Sequence, residues 1–171
     1  MIIDPLNPPG RHASLTGVGI EPWLTREFIE LFKTWPTALW SMAEWGSGGG
    51  SIWFAQRVMS VVTVENDLEF AEALRPHLPP NVEYKACCGV AYIHALADLQ
   101  DLSLDFLLID GRQRHACALV GMPKVKHGGI VALDNAERAA YAPILELLDQ
   151  NSQSCQRTTN GRWRTDFWVL D

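Results

Sequence analysis

Five short apolar runs, separated by helix-length amphipathic stretches, set the strongest limit on what this chain can fold into. The runs are 38–45 "ALWSMAEW", 60–65 "SVVTVE", 82–87 "VEYKAC", 104–110 "LDFLLID" and 129–134 "GIVALD"; the stretches between and after them are about 51–58, 67–78, 89–98, 112–126 and 136–150. Strand-length runs rich in Val, Ile, Leu and aromatics, each followed by a helix, describe βαβ units and hence a parallel sheet covered on both faces. The tail "SQSCQRTTNGRWRTDFWVLD" departs from that rhythm, with two strand-like pieces around Asn160-Gly161 and no helical pattern. A turn between two such pieces predicts an antiparallel hairpin. The expected fold is therefore α/β: a doubly wound, Rossmann-like, mostly parallel sheet with an antiparallel C-terminal strand.

At 171 residues and 47% hydrophobic, the chain suits one domain, expected over 25–171, behind an irregular N-terminal arm, 1–24, whose Pro- and Gly-bearing stretch is 4–22. Thr25 is placed to cap a helix over 25–35, with Phe28, Leu31, Phe32 and Trp35 on one stripe and Pro36 closing it. The net charge of −6 argues against nucleic acid or an anionic membrane as the main partner, because either is met by a cationic face. No run reaches the ~18–20 apolar residues that span a bilayer, and "MIIDPLNPPGRHASL" lacks a signal peptide's pattern. A cytoplasmic protein is expected. Cys87, Cys88, Cys117 and Cys155 show no ligand spacing and read as reduced packing thiols. The histidines form no close-spaced metal pair either.

Residues 44–51, "EWGSGGGS", fall at the C-terminal end of the first strand, where open α/β sheets bind ligands. Glycine there allows a tight turn and lets a ligand approach backbone unobstructed by a Cβ. Glu65 ends the second strand, fifteen residues after Gly50, placed to accept hydrogen bonds from two ribose hydroxyls. Its plainer role is an acid at the start of the next helix. A dinucleotide fingerprint is not met, since Gly46 and Gly48 are followed by Ser51 at the third glycine position.

What does fit is E-x-G-x-G-x-G, through Glu44, Gly46, Gly48 and Gly50, and it resembles the first motif of class I S-adenosylmethionine-dependent methyltransferases. "WGSGGGSIWFAQRVMSVVTVENDLEFAEAL" is similar to a bacterial subgroup reading "GSGGSTLWLA…VVSVEHD", and the resemblance extends over about residues 22–171. It implies S-adenosyl-L-methionine as cofactor, with Glu44 at its methionine amino end and the backbone of Gly46, Ser47, Gly48 and Gly50 beneath it. Glu65 matches the ribose acid, Cys88 with Gly89 falls near the adenine, and Asp110 lies at the edge facing the transferred methyl.

Two sets of residues compete for the acceptor. "GGIVALDN" resembles the fifth-strand end of catechol and caffeoyl-CoA O-methyltransferases, implying Mg²⁺ on Asp110, Asp134 and Asn135. Those enzymes carry a lysine where this chain has Gln113, and Asp134 or Asn135 equally suits a cap on a helix from 136. The second set is Arg112, Arg114 and His115: the histidine as base, the arginines on an anionic group of the substrate, or all three as a solvated helix start. Trp23, Trp45 and Trp53 read as core, with Trp45 the one placed to touch a ligand.

The leading expectation is methyl transfer to a small-molecule acceptor, at a hydroxyl oxygen, with Asp110 and His115 catalytic, helix 25–35 beside the acceptor, and a homodimer. The alternatives are a nicotinamide-dependent oxidoreductase and a catalytically silent methyltransferase-like binding protein.

Overall fold

In the computed structural model, residues 21–171 are described; His12 and most of the expected arm lie outside them. Seven strands form one sheet in the order β3-β2-β1-β4-β5-β7-β6: β1 (Ser41–Trp45), β2 (Ser60–Glu65), β3 (Val82–Ala86), β4 (Leu104–Ile109), β5 (Val125–Asp134), β6 (Ser152–Thr159) and β7 (Arg164–Leu170). The first five run parallel, and β7 lies antiparallel between β5 and β6. The hairpin at Asn160-Gly161 thus forms as expected, but its second strand is the inner one. The reason is composition: β7 is buried along most of its length, whereas β6, "SQSCQRTT", is polar and suits an exposed edge.

Helices α1 (Arg26–Thr34), α2 (Gly49–Ala55), α3 (Leu68–Leu74), α4 (Gly89–Ile93), α5 (Arg114–Gly121) and α6 (Ala142–Gln150) cover the sheet. Strand side chains alternate between two cores. Met42, Val61, Phe106, Leu108, Ala132 and Phe167 pack beneath α1 and α2. Ala43, Trp45, Val64, Leu107, Ile109, Leu133 and Trp168 pack against α4, α5 and α6. On the first face Phe32 stands in a ring cluster with Phe28, Trp35, Trp40, Trp53, Phe54 and Phe106, at centroid distances of 5.0–6.3 Å, favourable for edge-on contact. Helix α1 is therefore core, the answer to what its apolar stripe packs on.

Several boundaries differ from the sequence reading. A 3₁₀ turn at Thr37–Leu39 precedes β1, and β5 begins at Val125 after a 3₁₀ turn carrying Pro123, inside the stretch expected to be helical. Helix α6 begins at Ala142, with Pro143 in its first turn where the missing N–H costs nothing. Neither Asp134 nor Asn135 caps it. Thr25 precedes α1 but donates no side-chain cap: its hydroxyl pairs with Thr158 Oγ1 in the hairpin. All four cysteines are free; only Cys117 is a fully buried packing thiol, while Cys88 and Cys155 are exposed. Among the described residues no helix is long and apolar enough to cross a membrane.

Candidate active site at the strand ends

The chain runs outward from β1 to β2 and β3, then returns to β4 on the other side of β1. Side by side, the C-terminal ends of β1 and β4 diverge into different loops, which opens a crevice at this switch point. The cavity there has a volume of about 560 Å³ and is walled by the glycine turn, the ends of β2, β4 and β5, and the segment leading into α1.

The register explains which side chains meet. Glu44 pairs with Thr63 and Leu108, Ala132 lies beside Leu108, and Asp134 lies beside Thr165. With a period of two, Glu44, Glu65, Asp110 and Asp134 all project from the α1/α2 face. Glu44, Glu65 and Asp110 line the cavity, as do Gly46, Ser47, Gly48 and Gly50.

Two glycines set the floor. Gly46 turns at φ +97°, and a Cβ on it would stand 2.9 Å from the Asp110 carbonyl oxygen. A Cβ on Gly111 would stand 1.9 Å from Tyr92 Oη. The first turn and the β4 end thus touch backbone to backbone, which no larger residue permits. At Gly48, by contrast, a Cβ would meet nothing within 4 Å: the backbone there faces open space.

Glu44 is 2% exposed, and its Oε1 is buried without a hydrogen-bond partner. Burial pushes its pKa up to about 7, and the Glu65 charge adds to this, while the Ser51 and Thr63 hydroxyls pull the other way. An unpartnered buried carboxylate oxygen costs the fold, and in a cavity wall it marks where a donor is missing. Glu65 differs. Its Oε2 accepts from Ser47 N at 3.1 Å and Ser47 Oγ at 2.8 Å, and its Oε1 from the backbone N–H groups of Asn66 and Asp67, both at 2.8 Å. It ties the glycine turn to β2 and still lines the cavity.

At the other end Asp110, Asp134 and Asn135 do converge, and they converge on Arg114. Its Nη2 donates to Asp110 Oδ1 at 2.9 Å, to the Asp110 carbonyl at 3.1 Å and to Asn135 Oδ1 at 3.4 Å; Nε donates to the Gly111 carbonyl at 2.9 Å and Nη1 to the Asp134 carbonyl. The guanidinium, 6% exposed, also stands 5.1 Å over the Tyr141 ring. Asp134 Oδ1 accepts from Thr165 Oγ1 at 2.8 Å, and Thr165 Oγ1 in turn accepts from Thr25 N at 3.0 Å. These oxygens already face a permanent cation, so the donor set does not fit Mg²⁺. Nor do the described residues contain any group of three His, Cys, Asp or Glu arranged to hold a metal. Loss of hydration, with Asp134 beside it, holds Asp110 above the usual carboxylate range against the pull of Arg114; Asp134 is also raised by burial.

Other expected residues fall elsewhere. His115 follows inward-turned Arg114 on α5, and the helical step of ~100° leaves it exposed, outside the cavity wall. Cys88, beyond the end of edge strand β3, is exposed and also outside it. Trp45 is buried on the opposite face, its Nε1 donating to the Tyr92 carbonyl at 2.9 Å, whereas Trp23, 54% exposed, lines the cavity with Pro22. The lead-in segment, rather than helix 25–35 itself, borders the site. Sequence reasoning missed Asn66, Phe70, Arg138 and Tyr141. Asn135, at φ +51°, signals the turn that carries the last two.

No protein-family model matches the sequence, and no curated protein matches it. Solved structures share its fold. A tRNA methyltransferase from Aquifex aeolicus superposes with a TM-score of 0.68 at 14% identity, covering 96% of this chain and 77% of its own. An O-methyltransferase from Bacillus cereus, in complex with SAH, gives 0.63 at 17%, covering 85% and 80%. A precorrin 8W decarboxylase from Methanobacterium thermoautotrophicum gives 0.63 at 18%, covering 88% and 94%.

Proposed function

We propose that this protein is an S-adenosylmethionine-dependent methyltransferase acting on a hydroxyl of a small molecule. The observation that carries the reading is the unpartnered Glu44 Oε1 beside open backbone at Gly48, in a cavity at the sheet's switch point. The fold shared with methyltransferase structures supports it.

The residues present fit that cofactor. Glu44 would take its ammonium group, the backbone of Gly46–Gly50 would lie beneath it, and Glu65 with Ser47 would meet the ribose hydroxyls. When bound, S-adenosylmethionine supplies a methyl group on a cationic sulfur that departs as a neutral thioether. What is left to the chain is to hold the acceptor in line and to take its proton. Asp110 stands at the cavity edge between the two halves, and its raised pKa makes its carboxylate a stronger base than an ordinary aspartate. Arg114 fixes that carboxylate through Oδ1 and so limits the directions from which it accepts a proton. Phe54, Leu108 and Phe70 add apolar surface to the cavity lining.

Thermal unfolding in the presence of S-adenosylmethionine, S-adenosylhomocysteine or NADH tests this reading. A ligand at a hundredfold excess over its dissociation constant adds about 2.7 kcal/mol, which moves the midpoint by roughly 5–11 °C. Shifts with the first two and none with NADH are expected. A shift with NADH alone would show a dinucleotide site instead.

A further inference from the structure

Among the described residues three arginines line the cavity, and they are not alike. All the donor groups of Arg114 point at the protein's own oxygens. Arg112 and Arg138 also line the cavity, yet both are exposed, and among the described residues neither guanidinium has an ion pair or a hydrogen bond. Arg112 is anchored only through its backbone, whose N–H donates to Tyr92 Oη at 3.1 Å and whose carbonyl accepts from Cys117 Sγ. The Arg138 guanidinium stands 5.9 Å from the Tyr141 ring centroid. In a chain with 20 acidic and 14 basic residues, two unpaired guanidiniums beside one cavity are unexpected by charge alone.

Their placement is fixed by Arg114. Arg112 sits on the loop after β4 and Arg138 on the loop after β5, neighbouring strands whose ends pair at Ile109 and Leu133. By bonding Asp110 and Gly111 after one strand and Asp134 and Asn135 at the end of the other, Arg114 joins the two loops from which Arg112 and Arg138 line the same cavity. Two like charges so held repel each other unless an anion lies between them. Among the described residues the carboxylates of the cavity do not serve: Asp110 is taken by Arg114, Glu65 by Ser47 and Glu21 by Lys33 at 2.8 Å, while Glu44 is buried and its open oxygen is the one assigned to the cofactor. In the wall of the same cavity, the exposed indole of Trp23 offers a flat apolar surface.

We infer that this rim is an anion subsite for the methyl acceptor: Arg112 and Arg138 bind a carboxylate or phosphate carried on a small aromatic ring, and Trp23 packs on that ring. As an acceptor site it rests on the methyl-transfer reading. The chemistry needed is an oxyanion with lone pairs for two forked donors. A polyanion such as RNA is disfavoured, because beyond this rim the chain is acidic.

Calorimetric titration of the protein saturated with S-adenosylhomocysteine tests it, with 4-hydroxybenzoate, its methyl ester, 4-hydroxyphenyl phosphate and an RNA hairpin as probes. The acid is expected to bind roughly tenfold or more tightly than the ester. The phosphate, compared with the acid, tells which oxyanion the rim prefers. In the Arg112→Gln/Arg138→Gln double variant the preference for acid over ester should vanish while S-adenosylhomocysteine affinity stays the same. Trp23→Ala should weaken acid and ester equally. Equal binding of acid and ester, no binding of either, or a preference that survives the double variant overturns the inference. So does RNA binding tighter than the acid that is lost in that variant. Failure of S-adenosylhomocysteine to bind, seen in the preceding titration, instead removes the methyl-transfer reading, and the acid–ester comparison on the cofactor-free protein then judges the rim alone.

Discussion

The β1–β2 side of the cavity and the β4–β5 side are built from the same parts, carboxylates at strand ends on one face of the sheet, and Glu44 on the first and Asp110 on the second are treated oppositely. On the first side Glu44 is left with a buried, unpartnered oxygen beside backbone that faces open space. On the second, Asp110, Asn135 and the Asp134 carbonyl are gathered by one guanidinium until its donors are used. The difference teaches how to tell a ligand site from a scaffold when both consist of acids in a crevice. A group whose hydrogen-bonding capacity is unmet points to something absent. A cluster whose capacity is met points to the fold itself and leaves no opening for a metal ion.

The largest effect that sharpens this contrast is expected at Arg114. Arg114→Ala removes a buried guanidinium and leaves the five oxygens it serves without their donor, although Asp110 is 31% exposed, and should cost about 3 kcal/mol or more. Thermal unfolding would show it, and Arg114→Lys should recover little, since an ammonium cannot span both loops with a planar fork. Loss of less than about 1 kcal/mol, the range of a surface pair, would mean the staple is ornamental.

Next in size is Glu44, where the sign is opposite. Its pKa in the fold, pushed up to about 7, lies above the 4.5 of a free glutamate, so the folded state holds the extra proton between those values. Stability is therefore lost as pH rises from 4.5 towards 7, on the order of 3 kcal/mol if the whole difference is realised. Glu44→Gln should remove that slope and make the ligand-free protein more stable than wild type at pH 8. The raised Asp110 and Asp134 slope the same way and will remain. Denaturant unfolding at pH 5 and pH 8 reads the difference; parallel curves for variant and wild type would contradict the burial penalty.

A smaller effect is expected at Thr165, whose hydroxyl joins Asp134 to the Thr25 N–H and so ties the Pro22–Trp23 lip to the β5 end. Thr165→Val should cost about 1–3 kcal/mol. The smallest is none at all: Mg²⁺ or EDTA should alter neither the unfolding midpoint nor S-adenosylhomocysteine affinity, and a clear response to the ion would place a metal where Arg114 stands.

Much of this was readable in the residues. The alternation of apolar runs and helical stretches gave the five parallel strands because side-chain period and strand length are local properties, and Asn160-Gly161 gave the hairpin for the same reason. That Glu44, the glycine turn and Glu65 meet at one cavity was legible because glycines and acids at strand ends have few other uses. Trp45 and Trp53 are core as expected and Trp23 is not; that Trp45 does not touch the cavity was readable from its neighbour, because if Glu44 faces the cavity a period of two sends Trp45 to the other face. His115 and Arg114 were not separable, because which residue of a helix's first turn points inward depends on how α5 packs. The order β5-β7-β6 and the Arg138–Tyr141 rim depend on contacts between distant segments, which spacing along the chain does not encode. Pro143 was the unused signal that the last helix begins at 142, leaving residues 135–141 to form that rim.

In the proposed cofactor site it is the Glu44 carboxylate, with its unpartnered buried oxygen, that meets the ligand's ammonium. Calorimetric titration of S-adenosylhomocysteine into wild type and Glu44→Gln at pH 8 tests it most directly, where the carboxylate is largely ionised and the variant is expected to be well folded. The account predicts saturable one-to-one binding by wild type and affinity weaker by roughly tenfold or more in the variant, the worth of one charge-assisted hydrogen bond. Equal affinity in the two proteins, or no binding by wild type, would contradict it.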